Sequence, residues 1–99
     1  MKTFFAKLVA PRSTFVQDMT PVERNLMMEH AKYWRGLLER GVAVTFGMVA
    51  HTDGGFGVGI LEIPDDVKVT DLTNADPTIK ANAGFRYDIA PMPMGAVHK

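Results

Sequence analysis

Apolar residues recur at steps of three and four between residues 21 and 40, which is the spacing of one face of an α-helix. Thr20 and Glu23 form the pattern of a capping box, and Pro21 occupies the first helical position. Gly41 follows the last periodic residue and can adopt the left-handed conformation that ends many helices. The pattern therefore predicts a long amphipathic helix over residues 21–40.

Four other segments are rich in β-forming residues or alternate between two faces, and these features predict strands. The predicted strands span residues 3–10, 42–50, 56–63 and 85–90. A second helix is predicted over residues 67–75, where β-branched residues weaken the helical pattern and the Asp76-Pro77 pair ends or kinks it. We expect residues 11–19 to form a polar connection and residues 92–99 to form an irregular tail.

The predicted order of elements is β-α-β-β-α-β, the order of the ferredoxin-like split βαβ arrangement. We therefore expect an α+β fold in which a four-stranded antiparallel sheet has both helices on one face. Strict alternation in the second strand places Phe46 and Met48 on one face, and Ala43 and Thr45 on the other. The first two strands are apolar on both faces, so the open face of the sheet needs a cover. The sheet of a second copy is the simplest cover, and we expect a homodimer through this face.

Composition narrows the class of protein. The 99 residues, 46% hydrophobic and 22% charged, fit one globular domain over residues 1–99, with its core at about residues 3–91. Eleven basic side chains balance eleven acidic ones, which argues against a nucleic-acid-binding surface. The apolar stretches are too short to cross a membrane. The absence of cysteine excludes disulfides, thiolate metal sites and cysteine nucleophiles, and it fits a cytoplasmic protein.

Several segments together resemble the YCII-related (YciI-like) family over about residues 3–91. They are the helical segment 29–41 with the sequence EHAKYWRGLLERG, Gly47 in the second strand, and Ala75-Asp76-Pro77 followed by Gly84. The resemblance implies a ferredoxin-like fold that dimerises into an α/β barrel, similar to muconolactone isomerase. It also implies a site built on a helix histidine and the aspartate of the Asp-Pro pair, here His30 and Asp76. Members of the family usually have Gly-Pro in the second strand, and Gly47-Met48 in this chain changes the pocket wall.

His30 is the first candidate for chemistry because it lies within the broad apolar face of the long helix, beside Leu26 and Leu37. An imidazole exchanges protons near neutral pH, and a carboxylate bonded to one ring nitrogen leaves the other as a base. Asp76, held by the stiff Asp-Pro junction, could supply that carboxylate. Two structural roles stay open: His30 as a core histidine bonded to a backbone carbonyl, and Asp76 as a helix cap or terminator.

Four further residues are candidates for substrate binding: Tyr33, Trp34, Phe46 and Arg86. Trp34 and Phe46 would supply apolar walls, and an inward-pointing Arg86 would hold a substrate carboxylate in two-point contact. The alternative for Trp34 and Phe46 is a plain core role. The alternative for Arg86 is exposure to solvent or a pair with Asp88.

The sequence has no motif for a cofactor or a metal. The glycine-rich segment 54–59 lacks the G-x-G-x-x-G spacing and no helix follows it, so it is not a phosphate loop. Gly57 and Gly59 instead permit close packing of a helix or leave room for a ligand. His30, His51 and His98 lack the spacing of a zinc site, although a site assembled across a dimer stays open. We therefore expect neither a cofactor nor a metal.

The histidine on an apolar helix face and the lack of a cofactor motif favour a small cofactor-independent enzyme that uses His30 and Asp76 as an acid/base pair. The likeness to muconolactone isomerase, which the family resemblance implies, suggests a small carbonyl or lactone-like metabolite as its substrate. Isomerisation or elimination fits best, because a His-Asp pair can perform either without a cofactor. The alternative is a non-catalytic dimeric module that binds a small ligand, with His30 as a hydrogen-bonding group only. A third interpretation is an interaction protein with a packed interior and no pocket.

Overall fold

The computed structural model describes residues 1–96, which form four strands and four helices. In chain order the elements are β1 Lys2–Val9, α1 Phe15–Asp18, α2 Pro21–Glu39, β2 Ala43–Val49, β3 Phe56–Ile63, α3 Val69–Asn74, α4 Pro77–Lys80 and β4 Arg86–Pro91. Within the predicted tail, residues 92–96 contain neither helix nor strand, as expected, and residues 97–99 lie outside the described residues. No helix in the described part of the chain is long and apolar enough to cross a membrane.

The four strands form one antiparallel sheet in the order β2-β3-β1-β4. At its centre, Ala6 of β1 lies between Gly59 of β3 and Ile89 of β4. The helices pack on the face of the sheet that contains the buried residues Ala6, Leu61 and Ile63. This arrangement confirms the ferredoxin-like α+β fold that the order of elements predicts.

The long helix α2 begins with the predicted capping box. The Thr20 hydroxyl accepts a hydrogen bond from the Glu23 backbone N–H at 3.1 Å, and the Glu23 carboxylate accepts one from the Thr20 backbone N–H at 3.0 Å. At the other end, Gly41 has a φ of 74°, the left-handed conformation expected there. These two ends fix the position of α2, and with it the turns from which His30 and Trp34 project.

The polar connection predicted for residues 11–19 is wrong in one respect, because it contains the short helix α1. Phe15 begins this helix and is only 5% exposed. Its ring packs edge-on against Phe85, with the ring centroids 5.2 Å apart. The buried ring of Phe15 therefore packs the connection against the rest of the protein.

The second predicted helix, over residues 67–75, is present as the shorter helix α3, and it ends before the Asp76-Pro77 pair as expected. The separate helix α4, which begins at Pro77, is not predicted from the sequence. Proline suits the first helical position but disfavours a helical conformation in the residue before it. Asp76 accordingly has an extended backbone, with φ −63° and ψ 133°, between the two helices.

Strand β2 departs from the strict alternation that its sequence predicts. Ala43 pairs with Leu61 and Thr45 pairs with Ile60, so Val44 is an extra residue that forms a β-bulge. The bulge brings Ala43 to the same face as Phe46, where both pack in or against the core. The predicted faces are therefore wrong at the start of β2, because one inserted residue reverses the alternation.

The core is centred on Trp34, which is 2% exposed and lies directly over Gly59 of β3. A methyl group at residue 59 would lie 2.3 Å from atoms of the indole ring, far inside van der Waals contact. The rings of Phe46 and Tyr87 lie 6.2 and 6.4 Å from the indole, measured between centroids. The close helix packing expected at Gly59 is confirmed, and it allows Trp34 to join α2 to three strands of the sheet.

We expect Gly59→Ala to lower the free energy of unfolding by about 1–3 kcal/mol, the usual cost of overpacking a core, because the new methyl group collides with the Trp34 indole. Urea unfolding followed by tryptophan fluorescence measures this change. Gly47→Ala is the matched control, since Gly47 lies in the same sheet and a methyl group there meets no atom within 4 Å. Equal unfolding free energies for the two variants would contradict the packing role of Gly59.

Candidate active site

His30 lies in the middle of α2, and its side chain reaches Asp76 in the junction between α3 and α4. His30 Nδ1 is 2.7 Å from Asp76 Oδ2. Trp34, one helical turn after His30, donates its Nε1–H to the same carboxylate oxygen at 3.1 Å. His30 is thus bonded to a carboxylate and not to a backbone carbonyl, so the geometry of an oriented His-Asp pair is present.

Asp76 caps a helix with one carboxylate oxygen and contacts His30 with the other. Its side chain is 0% exposed. Oδ1 accepts hydrogen bonds from the backbone N–H and the hydroxyl of Thr78, both at 2.9 Å, and so caps α4. Oδ2 accepts from His30, Trp34 and the Tyr87 hydroxyl, and that hydroxyl in turn accepts a bond from Trp34 Nε1–H at 2.8 Å. The cap and the His30 contact, which stand as alternatives in the sequence, therefore occur together.

These contacts determine the charge of Asp76. Burial acts to raise the pKa of its carboxyl group, but the hydrogen bond and charge of His30 and the hydrogen bonds from Tyr87 and Thr78 outweigh burial, and the pKa falls below its ordinary value. Burial and the nearby Asp76 charge raise the pKa of Tyr87, so its hydroxyl stays protonated and donates a hydrogen bond to Asp76. Asp76 is therefore an ionised acceptor for the groups around it.

The ionised carboxylate also fixes the tautomer of His30. A carboxylate can only accept hydrogen bonds, so the shared proton lies on His30 Nδ1. In the neutral imidazole the lone pair then lies on Nε2, which has no hydrogen-bond partner among the described residues. The pair therefore provides a base of fixed orientation, with the carboxylate placed to stabilise the imidazolium that forms when Nε2 takes a proton.

A cavity of about 260 Å³ opens beside His30, between α2, the α1 segment and one end of the sheet. His30 forms part of its wall, and each of the other residues that line it is either apolar or a glycine. The larger of these include Leu8, Phe15, Met19, Met27, Phe46 and Phe85. The cavity has the apolar lining and the single polar group that are typical of sites for small molecules.

The segment before α2 closes one side of this cavity with three apolar side chains from residues 15–19. Arg12 holds the segment in place. Its two Nη atoms donate to the carboxylate oxygens of Glu23 at 2.7 and 2.8 Å, and its Nε donates to Asp18 at 2.7 Å. The Arg12 contact, together with the backbone N–H of Thr20, lowers the pKa of Glu23 to about 2. The side wall of the cavity is therefore fixed to the start of α2 by a two-point ion pair.

Two of the predicted substrate-binding residues lie close to the His-Asp pair. Phe46 lines the cavity itself. Trp34 is buried behind His30, where its indole donates to Asp76 and packs against Phe46. Trp34 therefore belongs to the core while it bonds Asp76, and Phe46 packs against the core while it lines the cavity.

The other two predicted substrate-binding residues lie outside the cavity wall. The Tyr33 hydroxyl donates to the backbone carbonyl of Leu72 at 2.6 Å and so ties α2 to α3. Arg86 is 67% exposed and pairs with Asp88 at 3.4 Å. Since the side chain between them, Tyr87, reaches Asp76 on the helix side, Arg86 points to the opposite face of β4. The geometry does not bring Arg86 to a ligand in this cavity.

Sequence reasoning missed Tyr87 and Thr78, the remaining contacts of Asp76. Alternation along β4 places Tyr87 on the buried face, where a phenol hydroxyl needs a hydrogen-bond partner. Thr78 follows an Asp-Pro pair at a helix start, the position whose N–H an N-cap aspartate accepts. Both signals are present in the sequence, but only the fold brings Tyr87 and Thr78 to the same carboxylate.

His30 and His51 lie on separate parts of the described chain, in α2 and in the connection between β2 and β3. Across residues 1–96, no three His, Asp or Glu side chains converge as the ligands of a metal ion would. His51 accepts a hydrogen bond from the Asp53 backbone N–H at 3.1 Å, within the connection between β2 and β3. His98 lies outside the described residues.

A family model of the YCII-related domain matches residues 3–93 of the chain. The chain belongs to the YCII-related domain family. The match confirms the resemblance seen in the segment 29–41 and in the Asp76-Pro77 pair, and no curated protein matches the sequence. In this YCII-related protein, Met48 stands where the resemblance leads one to expect proline, and its side chain lines the cavity.

Asp76→Asn tests the charge of the buried carboxyl group. Because the folded pKa of Asp76 lies below its ordinary value, ionised Asp76 stabilises the fold above the unfolded pKa, and this stability is lost as the pH falls through the folded pKa. We expect the variant to be less stable by about 1–3 kcal/mol at pH 5, the cost of disrupted buried hydrogen bonds. The difference should narrow between pH 5 and pH 3. Urea unfolding at each pH measures it.

Asp88→Asn is the control for this series, since Asp88 is 54% exposed. The unfolding free energies of this variant and the native sequence should remain parallel over the same pH range. A difference for Asp76→Asn that widens toward pH 3 would contradict a lowered pKa of Asp76.

Proposed function

We propose that this protein is a cofactor-independent enzyme of the isomerase or lyase type, which transfers a proton on a small carbonyl or lactone-like molecule. One observation supports this proposal above the others. His30 Nδ1 is bonded to the buried carboxylate of Asp76 at 2.7 Å, while the His30 ring forms the polar part of an apolar cavity wall. A base that is oriented in this way beside a site for small molecules is the arrangement that proton transfer requires.

In the proposed reaction, His30 Nε2 accepts a proton from the carbon next to the substrate carbonyl. The electron pair of the broken C–H bond moves into the carbonyl group, which becomes an enolate. Asp76 stabilises the imidazolium formed on His30. The imidazolium then returns the proton to a different carbon, which completes an isomerisation. In an elimination the enolate instead re-forms the carbonyl and a C=C bond as the bond from the β-carbon to the leaving group breaks, and the leaving group takes the electron pair and the proton from the imidazolium.

Deuterium exchange tests the proposal without knowledge of the natural substrate. A panel of cyclic ketones and unsaturated lactones is incubated with the protein in D₂O, and ¹H NMR follows the loss of the protons next to the carbonyl. We expect His30→Gln to slow the exchange by about 100-fold or more, the usual contribution of a general base. Asp76→Asn should also slow it, because the tautomer of His30 is no longer fixed.

His51→Gln is the matched control, since His51 is an exposed histidine outside the cavity. This variant should exchange the substrate protons at the native rate. Exchange by His30→Gln at the native rate would exclude His30 as the base. A native protein that binds members of the panel but exchanges none of their protons would contradict the enzyme and favour the binding module.

The binding module is the second candidate for a specific reason. Among the described residues, the cavity wall has no second side chain that could transfer a proton. The hydroxyls of Tyr33 and Tyr87 are both engaged elsewhere, with Leu72 and Asp76. In a non-catalytic module, His30 would hydrogen-bond a small ligand and His30→Ala would only weaken its binding.

We also propose that the protein is a homodimer that pairs through the open face of the sheet. The side chains of β1 and β3 on this face include Phe5, Val9, Val58 and Ile60, all of them partly exposed in the single chain. An apolar patch of this kind, which lies beside Lys7 on the open face, favours a second copy as its cover. The helices are on the other face, so the cavity of each copy would remain separate.

Ile60→Asp tests the dimer, because it places a charge at the middle of the open face. We expect it to weaken dimerisation by about 30-fold or more, as expected for a central interface residue, with the circular dichroism spectrum unchanged. Sedimentation equilibrium measures the association. Val22→Asp on α2 is the control, since Val22 is 78% exposed on the helix side. A native protein that is monomeric at about 100 μM would contradict the proposal, since even weak specific dimers form at that concentration.

A further inference from the structure

Apart from His30, the described wall of the cavity has no side chain that could carry a positive charge opposite an anionic ligand. Among the described residues, no lysine or arginine side chain lines it. Arg12, which lies over the ring of Phe15, is committed to Glu23 and Asp18. Arg86, the one arginine that the sequence suggests as a carboxylate clamp, is exposed on the other face of the sheet.

Two further cations lie near aromatic rings of the cavity without entering its wall. Arg35 is exposed, and its guanidinium lies 6.0 Å from the centroid of the Phe46 ring. Lys7 lies over the Phe56 ring at 4.4 Å and projects from the open face of β1. Each therefore supports a ring from outside and does not offer a charge to a molecule inside the cavity.

The charge of the site itself disfavours an anion. Asp76 is an ionised carboxylate directly behind His30. Among the described residues that contact Asp76, only His30 can carry a positive charge. The pair has a net charge of one negative unit with a neutral imidazole and of zero with an imidazolium, so it offers an anion no net positive charge in either state. A negative charge in the cavity would therefore lose its hydration without a compensating ion pair.

The size of the cavity limits the ligand as well. Its volume of about 260 Å³ exceeds the roughly 150 Å³ of an apolar cavity known to accept benzene. Three methionines, Met19, Met27 and Met48, contribute to the wall, and their flexible side chains adapt to different apolar shapes. A compact molecule of one or two rings fits these limits.

We propose that the ligand of this cavity is an uncharged, largely apolar molecule of one or two rings with a single polar group placed beside His30, and that carboxylate-bearing substrates are rejected. The inference refines the proposed function, since it concerns the substrate class of the same His30 site. It excludes the anionic lactones that a clamp by Arg86 would have selected. Its physical basis is the absence of lysine and arginine from the described wall and the carboxylate of Asp76, which already pairs with His30.

Three probes of one shape test this class: naphthalene, 2-naphthol and 2-naphthoate, titrated at pH 7 by calorimetry. We expect 2-naphthol to bind at least about tenfold more tightly than 2-naphthoate, a difference of about 1.4 kcal/mol. His30→Ala should weaken 2-naphthol by about fivefold, the value of one hydrogen bond, and leave naphthalene almost unchanged. His51→Ala is the matched histidine control and should bind all three probes as the native protein does.

Methyl NMR shows where the probes bind. The signals of Met19 and Met27, which line the cavity, should shift with 2-naphthol, whereas that of Met28, on the same helix as Met27 and 68% exposed, should not. Ala31→Phe fills the cavity from α2 and should abolish binding. The methyl shifts provide the same information if this variant fails to fold.

Tighter binding of 2-naphthoate, absence of binding by 2-naphthol, or binding that leaves the cavity methionines unshifted would each overturn the inference. The outcome is separate from that of the proposed function. Neutral probes that bind as expected to a protein without deuterium exchange would leave the ligand class correct and the enzyme wrong. Exchange on anionic substrates would leave the enzyme correct and the ligand class wrong.

Discussion

The buried carboxylate of Asp76 is the interaction on which the site depends. Removing such a group from water is costly unless its oxygens are satisfied, and here five hydrogen bonds from described residues satisfy them. The donors come from α2, from the start of α4 and from β4, so one carboxylate joins both crossovers to the edge of the sheet. The same bonds keep Asp76 ionised, and an ionised Asp76 is what orients His30.

The position of His30 depends in turn on how closely α2 approaches the sheet. Trp34 can lie against β3 because residue 59 is glycine. Its indole, one helical turn after His30, then donates a hydrogen bond to Asp76. A bulkier residue at 59 would lift the indole and disturb the hydrogen bonds that hold the imidazole. Packing and chemistry are therefore coupled, since the residue that fills the core also supports the carboxylate behind the base.

The cavity beside this pair is apolar because of how the chain covers it. The α1 segment places apolar side chains against one end of the sheet, and Arg12 fixes that segment to Glu23 and Asp18 at the surface. The charged groups of this region thus neutralise each other outside the cavity. Inside it, His30 is the polar side chain that a ligand meets among the described residues, which restricts both the chemistry and the charge of that ligand.

The sequence by itself determined the order of elements, the capped helix α2 and the ferredoxin-like fold, because capping and periodicity are local patterns. The resemblance of several of its segments to one family indicated that family and the site candidates His30 and Asp76. The sequence did not reveal α1, the bulge at Val44 or the separate helix α4, since each depends on a buried contact or on strand pairing with distant residues. Only the tertiary structure decided that Asp76 caps α4 and bonds His30 together, that Tyr87 joins them, and that Arg86 lies on the far face. The physical reason is that a carboxylate's partners are chosen by three-dimensional proximity, and these partners are separated by up to 46 residues along the chain.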